Sequence, residues 1–162
     1  MNVLIIITGG TLDKVHDTFT ESLVFPEGGQ TRVTTILGES RCDYPKTQIL
    51  MQIDSLDMTD AHREQILQAV QSAPENHIVI THGTGTMEQT AKYLDGKLGD
   101  KTVVLTGAMR PQSLGQSDAN FNLGGALIAA QTLSPGIYAV MNGRVIKARD
   151  VHKNTEAGRF DL

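Results

Sequence analysis

Short apolar runs alternate along the chain with turns rich in glycine, serine and threonine. The first run, residues 3–7, contains only β-branched residues and leucine, which is typical of a strand buried on both faces of a parallel sheet. It ends in Thr8-Gly9-Gly10-Thr11, where paired glycines permit a sharp turn. Runs at 48–53, 78–81 and 102–106 also end in polar or glycine-containing turns. The pattern predicts buried strands whose carboxyl ends carry polar groups.

Helical patterns separate these predicted strands. Residues 31–40 favour a short helix, and Thr59 can cap a second one. Thr86-Met87-Glu88-Gln89 has the form of a capping box, so we expect the Thr86 side chain to cap a third helix. A fourth helix is predicted over 120–133, where Gly124-Gly125 indicates close packing on the sheet.

The alternation of strands and helices predicts an α/β fold with a doubly wound, mostly parallel sheet and helices on both faces. One domain over residues 1–162 accounts for the chain. Two short strands joined at Asn142-Gly143 are expected to add a hairpin at one end. Residues 13–18 are expected to be a loop and 19–25 to include one arm of a second hairpin. Such a segment over the strand ends is suited to act as a lid.

Composition and charge limit the functions to consider. The formal net charge is −4 without any Lys/Arg cluster, which argues against a nucleic-acid or polybasic membrane partner. Cys42 is the single cysteine, so we expect no internal disulfide and no thiolate zinc site. The histidines show no metal-ligand spacing, and His82 after a strand favours a structural role. We therefore expect no metal, a small soluble partner and a cytoplasmic location.

Hydroxyl groups are the candidates for chemistry. Thr11, Ser55 and Thr84 follow predicted strands, and open α/β sheets bind ligands at that edge. A hydroxyl nucleophile needs a neighbouring base, and the lysines suited by type are Lys14, Lys147 and Lys153. Backbone N–H groups in the glycine turns are suited to an oxyanion hole. These residues predict a hydrolase, and a binding module for an amino acid or dicarboxylate remains the alternative.

A nucleotide site is a weaker interpretation. Gly83-Thr84-Gly85 begins like a dinucleotide fingerprint, but Glu88 stands where the third glycine is required. No lysine of the Walker type follows any glycine turn. We therefore expect no affinity for NAD or ATP.

Five stretches together resemble the bacterial-type L-asparaginase (asparaginase/glutaminase) family. They are TGGTLDK at 8–14, DSLDMTD at 54–60, THGTGTMEQTA at 81–91, LTGAMRP at 105–111 and RDVHKNT at 149–155. The resemblance implies a flavodoxin-like fold similar to the family's N-terminal domain. It also implies hydrolysis of L-asparagine to L-aspartate and ammonia through a threonine acyl-enzyme, without metal or cofactor, with L-glutamine as a second candidate substrate. The chain resembles a short member that lacks the C-terminal domain, and a homodimer or homotetramer is implied.

The resemblance assigns roles by position. Thr11 matches the family's nucleophile, Thr84 its second catalytic threonine, and Lys153 the lysine paired with that threonine. Ser55 matches the serine that holds the substrate carboxylate, and Ala108 matches the residue whose carbonyl faces the substrate amide. The predicted substrate-binding set also includes Gly10, Gly83, Gly85 and Asp54.

Three features depart from the family pattern. Gly85 stands where the family has an aspartate that binds the substrate ammonium, a loss of about 1.5–3 kcal/mol in binding. Asp57 is the candidate acid to replace it. Leu56 stands where the family has glutamine. The family's tyrosine after the first glycine turn is lacking, and His16 is predicted to accept the Thr11 proton instead.

Overall fold

Strands and helices alternate along residues 2–161, which the computed structural model describes. The strands are β1 (Val3–Gly9), β2 (Val15–Asp17), β3 (Ser22–Val24), β4 (Lys46–Ile53), β5 (His77–Thr81), β6 (Thr102–Thr106), β7 (Gly136–Met141), β8 (Arg144–Lys147), β9 (Lys153–Asn154) and β10 (Arg159–Phe160). The α-helices are α1 (Arg32–Glu39), α2 (Asp60–Ser72), α3 (Met87–Leu94) and α4 (Ala119–Thr132).

Six of the strands form one sheet in the order β4-β1-β5-β6-β7-β8. The first five run parallel, and β8 pairs antiparallel with β7. The predicted mostly parallel α/β fold is therefore confirmed, including the hairpin at its end. Two small antiparallel pairs, β2 with β3 and β9 with β10, lie outside this sheet.

The core divides into two apolar layers, one on each face of the sheet. Side chains of β1 alternate between them: Leu4 and Ile6 face the layer that contains α2 and α3 residues, whereas Ile5 and Ile7 face the layer of α1 and α4. Because both faces are covered, the central strands are apolar without alternation, as the sequence predicts. No helix within residues 2–161 is long and apolar enough to cross a membrane.

The carboxyl ends of β1 and β5 approach each other closely. Gly10 has a φ of 88°, and a Cβ atom placed on it would lie 2.4 Å from the backbone nitrogen of Gly83. Only glycine permits this approach. The polar turns after the two strands are therefore in direct contact.

One local expectation is wrong, and another is confirmed only in part. Residues 15–17 form β2 rather than a loop, because they pair with β3 across a turn in which the Asp17 carboxylate accepts the backbone N–H groups of Phe19 and Thr20. In α4 only one glycine packs on the sheet. A Cβ on Gly125 would lie 3.2 Å from Val140, whereas one on Gly124 would meet open space.

Candidate active site

A pocket of about 160 Å³ lies where the turns after β1, β4 and β5 meet. It is lined by Gly10, Thr11, Asp54, Ser55, Leu56, Gly83, Thr84, Gly85 and Lys153. Eight of the ten residues predicted for the site are in this set. Parallel strands place their carboxyl ends at one edge, which explains why turns far apart in sequence converge.

Thr11 begins the turn that follows β1. The backbone N–H of Gly10 donates to the Ile53 carbonyl over 3.2 Å, and the N–H of Lys14 donates to the Thr11 carbonyl over 3.2 Å. These bonds fix the backbone on both sides of Thr11. Within residues 2–161 its hydroxyl has no hydrogen-bond partner, and its side chain is half-buried at the pocket. The hydroxyl is therefore free to meet a ligand.

Thr84 and Lys153 form a direct pair in the pocket. The Lys153 Nζ donates to the Thr84 Oγ1 over 2.8 Å, and Thr84 is only 7% exposed. Lys153 begins β9, where it pairs with Phe160 of β10, and Phe160 is buried in the core. The small hairpin therefore anchors the lysine to the domain.

The other lysines suited by type lie elsewhere. Lys14 forms an ion pair with Asp54, and Lys147 is exposed on β8. The Asp54 carboxylate also accepts the Leu56 N–H over 3.0 Å. The hydrogen bond from Lys14, followed by the bond from the Leu56 N–H, holds the pKa of Asp54 below its usual range. The Asp54 charge is thus already matched by a cation inside the protein.

Ser55 is held beneath the pocket by Thr86. The Ser55 Oγ accepts the Thr86 backbone N–H over 3.3 Å, and the Thr86 Oγ1 donates to the Ser55 carbonyl over 2.7 Å. The expectation that the Thr86 hydroxyl caps α3 is wrong, because the hydroxyl faces the Ser55 turn and makes no cap bond. Thr86 is the residue whose role the sequence missed, although its place two residues after Thr84 marks it as a neighbour of the site.

Gly83 is required by the proximity of Ser55. A Cβ atom on Gly83 would lie 2.5 Å from the Ser55 Oγ and 3.0 Å from its backbone nitrogen. Any side chain at 83 would displace the serine. The turn between β5 and α3 therefore packs directly on the serine turn.

His82 supports the same turn from the protein interior. The imidazole is fully buried, with Nδ1 2.7 Å from the Gly83 carbonyl and Nε2 2.8 Å from the Thr90 Oγ1. Since a carbonyl only accepts, Nδ1 carries the proton and Nε2 accepts from the Thr90 hydroxyl. Burial lowers the pKa of His82 to about 4. His82 is therefore neutral at pH 7 and positions the backbone before Thr84, in agreement with the structural role expected for it.

Two predicted residues lie outside the pocket lining. Ala108 follows β6 and is buried in the core layer of α1 and α4. His16 is exposed on β2, where it pairs with Leu23. Asp57, the candidate to replace the acid missing at position 85, is also exposed and does not line the pocket. The roles expected for these three residues stay predictions.

The donor groups present do not suggest a metal centre. No cluster of three or more His, Cys, Asp or Glu side chains suited to hold a metal ion occurs in residues 2–161. The polar groups at the pocket are instead hydroxyls, one carboxylate in an ion pair and one amine. Chemically, this arrangement can bind a small polar molecule beside a threonine hydroxyl and a lysine-paired hydroxyl.

Comparisons with known proteins agree with this arrangement. Residues 2–161 match the family model described as Asparaginase, N-terminal. The chain is 34% identical to L-asparaginase 2 of Escherichia coli strain K12 over 160 residues, which cover 94% of this chain and 46% of that protein. It is 31% identical to a glutaminase-asparaginase of Acinetobacter glutaminasificans, covering 94% of this chain and 49% of that protein.

A solved structure supports the same relationship. The thermostable L-asparaginase from Thermococcus kodakarensis superimposes with a TM-score of 0.83 at 28% sequence identity. The match covers 99% of this chain and 51% of that one. The chain thus spans about half the length of the relatives it matches.

Proposed function

Since the chain belongs to the asparaginase family through its match to the N-terminal domain, we propose that it hydrolyses a side-chain amide to a carboxylate and ammonia. L-Asparagine is the first candidate substrate and L-glutamine the second, because relatives are named for both activities. The observation that carries the proposal is the Lys153–Thr84 pair at 2.8 Å, in the same small pocket as Thr11.

The proposed reaction has two stages. The Thr11 oxygen attacks the amide carbon, its proton passes by way of a base to the amide nitrogen, and the C–N bond breaks to release ammonia. Water then attacks the threonyl ester, and its proton passes to the Thr11 oxygen as the ester bond breaks, with Thr84 and Lys153 in position to relay that proton. Backbone N–H groups of the glycine turns are proposed to stabilise the oxyanion of each stage.

Removal of the reacting groups tests this proposal. Thr11→Ala, Thr84→Ala and Lys153→Met are each expected to lower kcat for ammonia release by about 100-fold or more. Lys147→Met is the matched control, because it removes an exposed lysine that does not line the pocket. Turnover that survives Thr11→Ala nearly intact would contradict the assignment of the nucleophile.

A binding module on the same fold is the second candidate. It is favoured by Gly85 and Leu56, which leave the pocket with a single carboxylate, already paired to Lys14. The two functions differ in their product, since only the enzyme releases ammonia. Saturable binding of a dicarboxylate without ammonia release from any amide would favour the module.

Assembly and location complete the proposal. We propose a homodimer or homotetramer, supported by apolar side chains that α4 and β8 leave exposed, among them Phe121, Ile128 and Val145. Val24 and Phe25 are also apolar, but both residues are half-buried. A cytoplasmic location stays a proposal as well, and one relative, from Haemophilus influenzae, is named a probable periplasmic L-asparaginase.

A further inference from the structure

One wall of the pocket is made of hydrocarbon rather than charge. A Cβ atom on Gly85 would lie 2.8 Å from the Leu56 Cδ2 and 3.1 Å from the Ser55 Oγ. The φ of Gly85 lies outside the left-handed region, so the backbone does not require glycine there. The missing side chain instead leaves room for Leu56, which is 75% exposed and leans over position 85. Leu56 and Gly85 therefore act as one apolar wall.

The anion of the pocket lining is already paired, whereas its cation has no ion-pair partner within residues 2–161. Among the described lining residues only Asp54 and Lys153 are ionisable. Both Asp54 oxygens are engaged, one by the Lys14 ammonium and the other by the Leu56 N–H. The Lys153 ammonium donates to Thr84. A ligand entering the pocket meets the Lys153 cation, the Asp54 anion that is already paired to Lys14, and a hydrocarbon wall.

This environment treats the two ionic groups of an amino acid differently. A carboxylate is favoured by the Lys153 cation and by hydroxyl and backbone N–H donors at Ser55 and the glycine turns. An ammonium group would lose water against the Leu56 side chain without an available carboxylate to replace it, which is costly. The pocket volume of about 160 Å³ also favours a small ligand.

We propose that the substrates of this pocket are small ω-amides that carry a carboxylate but no free α-ammonium, with succinamate as the smallest example. This inference rests on the proposed amide hydrolysis and specifies its substrate class. Leu56 and Gly85 are the residues that determine this specificity, and L-asparagine, the first candidate by relationship, is expected to react more slowly because it carries an α-ammonium.

Paired rates test the inference. For the wild-type chain, kcat/KM for ammonia release from succinamate is expected to exceed that from L-asparagine by about tenfold or more, the size of one charge-assisted interaction. The variant Leu56→Ala/Gly85→Asp makes room and adds a carboxylate, and it should shift the ratio toward asparagine by about tenfold. Leu56→Ala/Gly85→Asn is the matched neutral control, which opens the wall without adding a carboxylate and should shift the ratio clearly less than the aspartate variant does. A wild-type preference for asparagine, or an equal shift in both variants, overturns the inference.

Binding of the products keeps this test separate from the proposed activity. If no ammonia is released from either amide, the proposed hydrolysis fails. Calorimetric titration with succinate and L-aspartate then still measures whether the apolar wall disfavours an α-ammonium group. Tighter binding of succinate supports the inference. Tighter binding of L-aspartate, equal binding or no binding of either overturns it.

Discussion

His82 connects the turn between β5 and α3 to the interior through two hydrogen bonds that require a neutral ring. Nδ1 donates to the Gly83 carbonyl and Nε2 accepts from Thr90, whose hydroxyl oxygen also accepts the Nε–H of the buried Arg63 over 3.2 Å. A proton on Nε2 would remove the acceptor and place a second cation beside Arg63. The geometry of the turn before Thr84 therefore depends on an uncharged imidazole.

This dependence predicts how stability changes with pH. In the unfolded chain a histidine binds a proton near pH 6.5, but in the folded protein His82 does so only near pH 4. Between these values the unfolded state binds more protons, so the free energy of unfolding falls as the pH falls, on the order of 3 kcal/mol in all. Urea unfolding at pH 7 and pH 4.5 measures the change. His82→Gln, which cannot titrate, should be less stable at pH 7 but show a smaller decrease, whereas equal decreases would contradict the prediction.

At the scale of single residues, the sequence predicted those site residues that directly follow a strand. Thr11, Ser55 and Thr84 could be predicted because each follows a buried strand, and parallel strands end at one edge. Lys153 could not be selected from local pattern, because it reaches Thr84 across 69 positions through the packing of the β9–β10 hairpin. Its choice over Lys14 and Lys147 came from family resemblance. Thr86 was misassigned, since a capping motif does not reveal that a neighbouring turn competes for the hydroxyl.

At the scale of elements, the apolar runs predicted the sheet and missed the small hairpins. β1, β5 and β6 were predictable because burial on both faces leaves a continuous apolar sequence. β2 contains Val15, His16 and Asp17 and pairs only with β3 outside the main sheet, so its sequence carries no such signal. For α4, the glycine pair predicted packing on the sheet, but a helix rotates by about 100° per residue, so only Gly125 faces β7.

The junction of α3 with the serine turn gives a prediction for elements. Thr86→Val keeps the shape of the side chain but removes the 2.7 Å bond to the Ser55 carbonyl, which then accepts only the Met58 N–H over 3.2 Å. We expect a loss of about 1–2 kcal/mol in the free energy of unfolding and a raised KM, because Ser55 lies at the pocket. Chemical denaturation and initial-rate kinetics measure both. Thr132→Val on α4, whose exposed hydroxyl bonds Ile128 within the same helix, is the control and should change neither KM nor stability by a similar amount.

At the scale of the whole molecule, the order of strands and helices in the sequence predicted the layered architecture. It did not predict which apolar surfaces stay exposed. Strands alternating with helices predict a parallel sheet covered on both faces. Nothing in that rule says which helix face stays uncovered, since α4 is apolar nearly all round. In the structure its inner face packs on the sheet, and Phe121 and Ile128 remain 66% and 63% exposed on its outer side.

This outer side of α4 leads to a prediction about assembly. Phe121, Ile128 and Val145 border a groove of about 630 Å³, and exposed apolar patches of this kind mark contact surfaces. In a twofold dimer the same patch meets its copy, so apolar residues are buried from both subunits at once. Light scattering at micromolar concentration is expected to give the mass of a dimer or tetramer, and Phe121→Lys/Ile128→Lys should lower it. Phe19→Lys, at the exposed end of the β2–β3 hairpin, is the control and should leave the mass unchanged. A monomer mass for the wild-type chain, or the same mass for all three proteins, would show that copies of the chain do not meet through this face.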